Sequence, residues 1–342
     1  MRKLLNTLYV TKEDGYLSLD GENVVLSSDR REVVRLPFTN LESIYCFNYL
    51  GCSPALMGKC ANEQVGLCFL SPNGRFLARV TGETKGNVYL RKQQIECFNS
   101  EKKQLGLIKT VVTNKINNSV TVLKRSLRDY PEIDNDGRIQ CCIDVLKQNI
   151  KKVSVESNIE VLRGLEGQSA KEYFYVFDLL IVKQRENFVM CSRSKHPPLD
   201  RVNAVLSFLY TMLTNDIASA LECVGLDPYI GFYHTLRPGR VSLACDIMEQ
   251  YRWIAERMVL SLINLKMLKA EDFETQVSGA VLLNDEGRKK VLSAWQSKKK
   301  DSIMHPIIKE KVHRGMYPYI EANLLAKYIR GETDMYKGLV IT

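Results

Sequence analysis

Between Tyr229 and Arg252 the chain reads YIGFYHTLRPGRVSLACDIMEQYR, which puts a histidine, His234, ahead of two acids, Asp246 and Glu249. A turn rich in Arg, Pro and Gly separates them and carries Arg237 and Arg240. The acids fall in a helical pattern whose apolar stripe is Leu243, Ile247, Tyr251, Ile254, Met258, Leu262 and Leu265. A helix turns about 100° per residue, so Asp246 and Glu249 project from one side, Asp246 flanking the stripe and Glu249 pointing away from it. Two carboxylates on a second face, with an imidazole delivered by the preceding loop, make a donor set for a divalent cation. The same spacing also fits the ordinary wet face of a helix, so this segment alone leaves both readings open.

A third acid strengthens the first reading. In SVESNIEVLRGLEGQSAKEYFYVF (residues 154–177) the stripe runs Val155, Ile159, Leu162, Glu166, Ala170, Tyr173, Phe177, so Glu166 takes a core-facing slot. A buried unpaired carboxylate is costly, whereas one beside a metal ion or other cation is not. Gly164 and Gly167 each cost a helix about 1 kcal/mol, which is tolerable where something must approach the backbone closely. The competing reading is a boundary glutamate with a packed stem and a wet head.

The elements that must position these groups fall into two styles. Up to about Thr81 the chain reads as short strands: 24–26, 33–36, 44–47 and a hairpin over 65–80 around Pro72-Asn73-Gly74, with a helix over 53–63. The stretch 82–87 (GETKGN) reads as a linker, and helical periodicity follows, beginning with one long helix over 93–127. The expected fold is therefore α+β: a small N-terminal, mostly antiparallel β domain (1–84) and a larger all-α domain (85–342). The net charge of +9 favours anionic partners. Residues 85–128 hold ten Lys or Arg against two Glu, and residues 288–314 hold nine against Asp301 and Glu310. Such stretches suit either a solvated face or one that follows a phosphate backbone. The second reads as a mobile loop around Lys298. The N-terminal residues are too polar for a secretory signal, no apolar run approaches the ~20 residues of a membrane span, and the ten scattered cysteines read as reduced, mostly buried thiols of a cytoplasmic protein. His196, His305 and His313 have no matching partners and read as structural or exposed.

Three motifs in order resemble the CRISPR-associated endonuclease and integrase family of spacer acquisition, Cas-one, over essentially the whole chain. The first is Gly164, Glu166, Gly167, Ala170, Tyr173 and Phe174; the second Asn203, Leu206, Ser207, Tyr210 and Leu213; the third His234 with Leu243, Asp246, Glu249, Tyr251 and Arg252. The tail 316–336 resembles the type I-C branch. Two positions depart from the pattern: Cys245, where an aromatic or aliphatic residue is common, and Glu249, where some members carry Asp. The resemblance implies Glu166, His234 and Glu249 as ligands of Mn²⁺ or Mg²⁺, with Asp246 ligating or orienting. It implies attack of a DNA 3′-hydroxyl on a phosphodiester. Arg237 and Arg240, beside His234, suit either a clamp on non-bridging phosphate oxygens or an ordinary exposed turn, and Tyr210 either lines the site or only packs. The resemblance further implies double-stranded DNA as partner, a homodimer through the β domains, a Cas-two dimer and a Cas-four nuclease, in a prokaryotic cytoplasm away from membranes. The competing readings are a non-catalytic DNA-binding scaffold and a metallohydrolase of small molecules, against which the basic stretches argue.

Overall fold

The computed structural model describes residues 6–72, 74–83, 88–195 and 197–341. Asn73, His196 and residues 84–87 of the expected linker lie outside them.

The strands of the N-terminal part are β1 (Thr7–Val10), β2 (Tyr16–Asp20), β3 (Asn23–Ser28), β4 (Arg31–Pro37), β5 (Ser43–Cys46), β6 (Gly66–Leu70) and β7 (Phe76–Val80), with helix α1 (Pro54–Glu63) between β5 and β6. β2, β3 and β4 form an antiparallel meander. The second sheet, β1-β5-β6-β7, is mixed: β1 and β6 both run parallel to β5, and only β6–β7 is a hairpin. Parallel pairing of β5 with β6 needs a crossover, and α1 supplies it. Ser53 starts that helix by accepting the Leu56 N–H, with Pro54 in the first turn. Leu17, Ile44, Leu56, Cys60 and Leu67 meet in its core.

The helices that follow are α2 (Val88–Asn99), α3 (Glu101–Asp129), α4 (Arg138–Val155), α5 (Ile159–Phe177), α6 (Arg201–Cys223), α7 (Ser242–Met248), α8 (Arg252–Asn264), α9 (Asp285–Lys300) and α10 (Tyr317–Ile329). The expected helix over 93–127 is thus two helices, parted at Ser100. The expected helix behind His234 is also interrupted, by a 3-10 turn at Glu249–Tyr251. Val155 ends α4 and is exposed, so it does not begin the Glu166 stripe, which starts in α5 under an Asn158 cap. Lys298, Lys299 and Lys300 form the last turn of α9, where cations suit the helix dipole, rather than a mobile loop. Two short ribbons, β8 (Phe273–Thr275) with β9 (Val281–Leu283) and β10 (Ser302–Met304) with β11 (Lys311–His313), interrupt the region expected to be all helical.

The chain divides into two compact units: Met1–Gly86 with Leu283–Ile303 and Val312–Tyr317, and Asn87–Leu282 with Met304–Lys311 and Pro318–Thr342. A single cut at 84/85 lacks these two returns to the first unit, where α9 packs on the 3-10 turn Arg314–Met316. In the second unit α3 packs against α4, α5 and α8, burying Leu107, Val111, Ile116 and Leu123. Among the described residues only α6 is long and apolar enough to cross a membrane, and most of it is buried as a core helix. The cysteines are all free, with Cys141 and Cys191 exposed. His305 is buried and His313 exposed, its Nδ1 2.7 Å from the Lys300 carbonyl.

Side-chain amides fasten the C-terminal segment to α3. Asn114 donates to the Lys337 carbonyl at 2.8 Å, Asn118 donates to the Leu339 carbonyl and accepts the Ile341 N–H, and Gln250 accepts the Leu339 N–H. Gly338 lies at φ +60°, and a Cβ there would run into the amides of Gln250 and Asn114. Gly338→Ala should therefore lower stability by about 1–3 kcal/mol, read as an earlier urea midpoint at unchanged slope; an unchanged midpoint would show that the segment is not bound this way.

Candidate active site

The loop that delivers His234 is fixed from four directions. Gln94 of α2 donates to the carbonyls of Asp227 and Ile230 and accepts the Asp227 N–H, each at 2.9 Å. Gln104 of α3 donates to the Phe232 carbonyl at 2.9 Å, and Arg163 of α5 to that of Tyr233 at 2.8 Å. Asp246 of α7, fully buried, accepts the N–H groups of Phe232, Tyr233 and His234 at 2.7, 3.0 and 2.8 Å. Its Oδ1 also lies 2.6 Å from His234 Nδ1. The loop wraps this carboxylate so closely that a Cβ on Gly231 would sit 2.6 Å from Asp246 Oδ2 and 2.8 Å from the Ser242 backbone. Only glycine fits there.

An ionised carboxylate only accepts, so Asp246 sets the imidazole with its hydrogen on Nδ1 and the lone pair of Nε2 outward. Nε2 then faces Glu249, 3.8 Å from its Oε1. The geometry makes Asp246 a positioning residue acting through His234. Glu249, first residue of the 3-10 turn, is buried rather than on a wet face. Arg252 Nη2 donates to its Oε1 at 2.8 Å, and Lys115 Nζ of α3 lies 2.6 Å from Oε2. Burial pushes the Glu249 carboxyl up, but Arg252 and then Lys115 outweigh it and hold the carboxyl well below its usual range. The Lys115 ammonium also ion-pairs with Glu166 Oε1. Glu166, reached by the stripe of Leu162, Ser169 and Tyr173, is partly exposed. Thus Glu166 and Glu249, from distant parts of the chain, converge on one ammonium, with His234 alongside. A Cβ on Gly164 or Gly167 meets no atom within 4 Å, so packing does not require those glycines as expected.

A second cluster backs the first. Arg252 stacks on the Tyr210 ring, 4.7 Å from its centroid, and Arg193 approaches the same ring at 5.5 Å. Tyr210 and Tyr173 donate to the two oxygens of buried Glu256 at 2.8 and 3.0 Å. Arg193 also donates to Asn203 at 2.7 Å and Ser207 at 3.1 Å, so the α6 motif is a seat for an arginine. Tyr210 therefore supports Arg252, which in turn holds Glu249. Arg237 is exposed, while Arg240 is half-buried and interacts with Cys245.

Lys115, Arg163 and Glu256 escaped the reading of the sequence. Lys115 lies one turn from Val111, Val112 and Asn118 on the buried side of α3, and Glu256 follows Glu249 by two turns; those spacings were the available signals.

The residues suit a divalent cation. Glu166, Glu249 and Asp246 outnumber Lys115 and Arg252, and two carboxylates with one imidazole nitrogen offer hard and borderline donors. Among the described residues no three His, Cys, Asp or Glu side chains form a metal cluster, and the Lys115 ammonium pairs with both Glu166 and Glu249.

Fold and cluster together define a mixed α+β protein with an acidic, imidazole-bearing site on helices. Residues 8–297 match the family model of CRISPR associated protein Cas1. A CRISPR-associated endonuclease Cas1 of Chlorobaculum tepidum is 44% identical over 99% of both chains, and one of Rhodospirillum rubrum is 43% identical over 98% of both. A solved Cas1 protein from Thermotoga maritima shares the fold at a TM-score of 0.82 and 21% identity, over 97% of this chain and 98% of that one. The chain belongs to the Cas1 family of CRISPR-associated endonucleases.

Proposed function

We propose that this chain is a metal-dependent DNA endonuclease and integrase that inserts new spacers into a CRISPR array. The observation that carries the reading is the convergence of Glu166 and Glu249 on one cation beside an imidazole tethered by Asp246. Glu166, His234 and Glu249 are the proposed holders of Mn²⁺ or Mg²⁺, with Asp246 fixing the imidazole. A divalent ion bound there acidifies an attacking hydroxyl and neutralises charge at the phosphate. The 3′-hydroxyl of a captured fragment attacks a phosphodiester at the edge of the repeat, and water attack gives cleavage. Arg237 and Arg240, in the turn after His234, are the proposed clamps on phosphate oxygens. Arg252 keeps Glu249 ionised and aimed.

The basic stretch of residues 85–128 supports double-stranded DNA as partner. The unit that holds the N-terminal strands is the proposed homodimerisation unit, and the unit that holds Glu166, His234 and Glu249 the catalytic one. Association with a Cas2 dimer and a Cas4 nuclease fits two likenesses: a solved Cas6-RT-Cas1–Cas2 complex shares the fold at a TM-score of 0.81 and 21% identity, over 98% of this chain and 36% of that one. A Geobacter sulfurreducens relative, 31% identical over 97% of this chain and 60% of its own length, is a Cas4/Cas1 fusion. The tail 316–336 favours the type I-C branch, and the free thiols a prokaryotic cytoplasm.

A strand-transfer assay with the purified chain, a Cas2 partner and a supercoiled repeat plasmid tests the function. Integrated product should form with Mn²⁺ or Mg²⁺ and vanish with chelator; product persisting in chelator would refute metal dependence.

A further inference from the structure

Lys115 sits on the buried side of α3, next to Asn114 and three residues before Asn118, both bound to the C-terminal segment. It is not a free surface charge: 13% of its side chain is exposed, and its ammonium meets Glu166 and Glu249 at once. Without it, two carboxylates, one from α5 and one from the 3-10 turn Glu249–Tyr251, would face each other in a site already holding Asp246, and like charges at close range repel strongly. The ammonium therefore holds the acids in register. A second cation bound by the same two oxygens would meet that ammonium head on.

We propose that Lys115 is the resident counter-cation of this site, and that a divalent cation binds by displacing it. The inference rests on the reading of Glu166, His234 and Glu249 as the metal seat. Lys115 borders a small cavity together with Ser119, Ser169, Tyr173, Phe174 and Glu256. A flexible four-carbon side chain can swing its ammonium away from the two carboxylates. Two consequences follow from the exchange. The metal-free site keeps its shape, and the apparent metal affinity is weaker than the protein ligands alone would give, because each binding event must eject a paired charge.

The test measures Mn²⁺ binding by calorimetry and thermal unfolding in chelator and in saturating Mn²⁺, on the full chain. Lys115→Met should bind Mn²⁺ at least about tenfold more tightly than wild type. It should unfold earlier in chelator and gain more from Mn²⁺ than wild type does. Lys115→Arg, which keeps the charge, should bind no more tightly than wild type. Should Lys115→Met not fold in chelator, Lys115→Gln takes its place with the same expectation. Binding by the neutral variant that is equal to or weaker than wild type overturns the inference, while wild type binding better than Glu166→Gln leaves the metal seat standing. If wild type binds no better than Glu166→Gln, the seat fails and the inference with it.

Discussion

Glu166→Gln should cut strand transfer by roughly a thousandfold while leaving DNA affinity within about twofold, the loss expected when several kcal/mol of charge stabilisation disappear. The substitution keeps the shape of the side chain and an oxygen that accepts from Lys115, and Lys115 retains Glu249 as its ionic partner at 2.6 Å. Glu166 is partly exposed, so the fold should scarcely notice the change. What disappears is one of two negative charges on which a divalent ion depends. Gel assays of transfer and fluorescence anisotropy with duplex DNA separate the two effects. Normal transfer by the variant would sink the enzyme reading and leave a DNA-binding scaffold in its place.

Asp246→Asn should damage both fold and activity. The aspartate accepts three backbone N–H groups and the imidazole N–H with two oxygens, all inside the protein. An amide has one accepting end, so either Phe232 and Tyr233 or His234 must face an NH₂ group whichever way it turns. Two buried donors left without an acceptor cost about 1–3 kcal/mol each. Stability should fall by about 2–5 kcal/mol, and metal affinity by about 10–100-fold as the imidazole loses its tether. Denaturant titration and Mn²⁺ binding read the two losses. A variant as stable as wild type would mean that the loop is held by Gln94, Gln104 and Arg163 without Asp246.

The contrast between these variants shows what the sequence could and could not reveal. Glu166, His234 and Glu249 were legible because acids and an imidazole interrupt apolar periodicity or stand at helical spacing from each other. Their setting was not. A helical wheel sends Glu249 away from the stripe, but α3 covers that second side, and Lys115 and Arg252 make burial tolerable. Lys115 itself was hidden among ten basic residues, since composition does not say which lysine faces inward. Strands β3 to β7 and α1 were readable from β-branched runs and turn residues, whereas β1 and β2 were not singled out. The parallel pairing of β5 with β6 was not drawn from them, although the helix between the strands demands it. Ser100 parts α2 from α3 without any proline or glycine beside it, so periodicity carried straight across.

The amides of Asn114, Asn118 and Gln250 grip peptide groups of residues 337–341, not their side chains. Recognition of this kind is blind to most of the letters it holds. Relatives can drift at Lys337, which is exposed, so long as Gly338 keeps the bend and Tyr336 and Leu339 fill the interior. Variation in that stretch therefore says little about whether the helix carrying Lys115 remains braced.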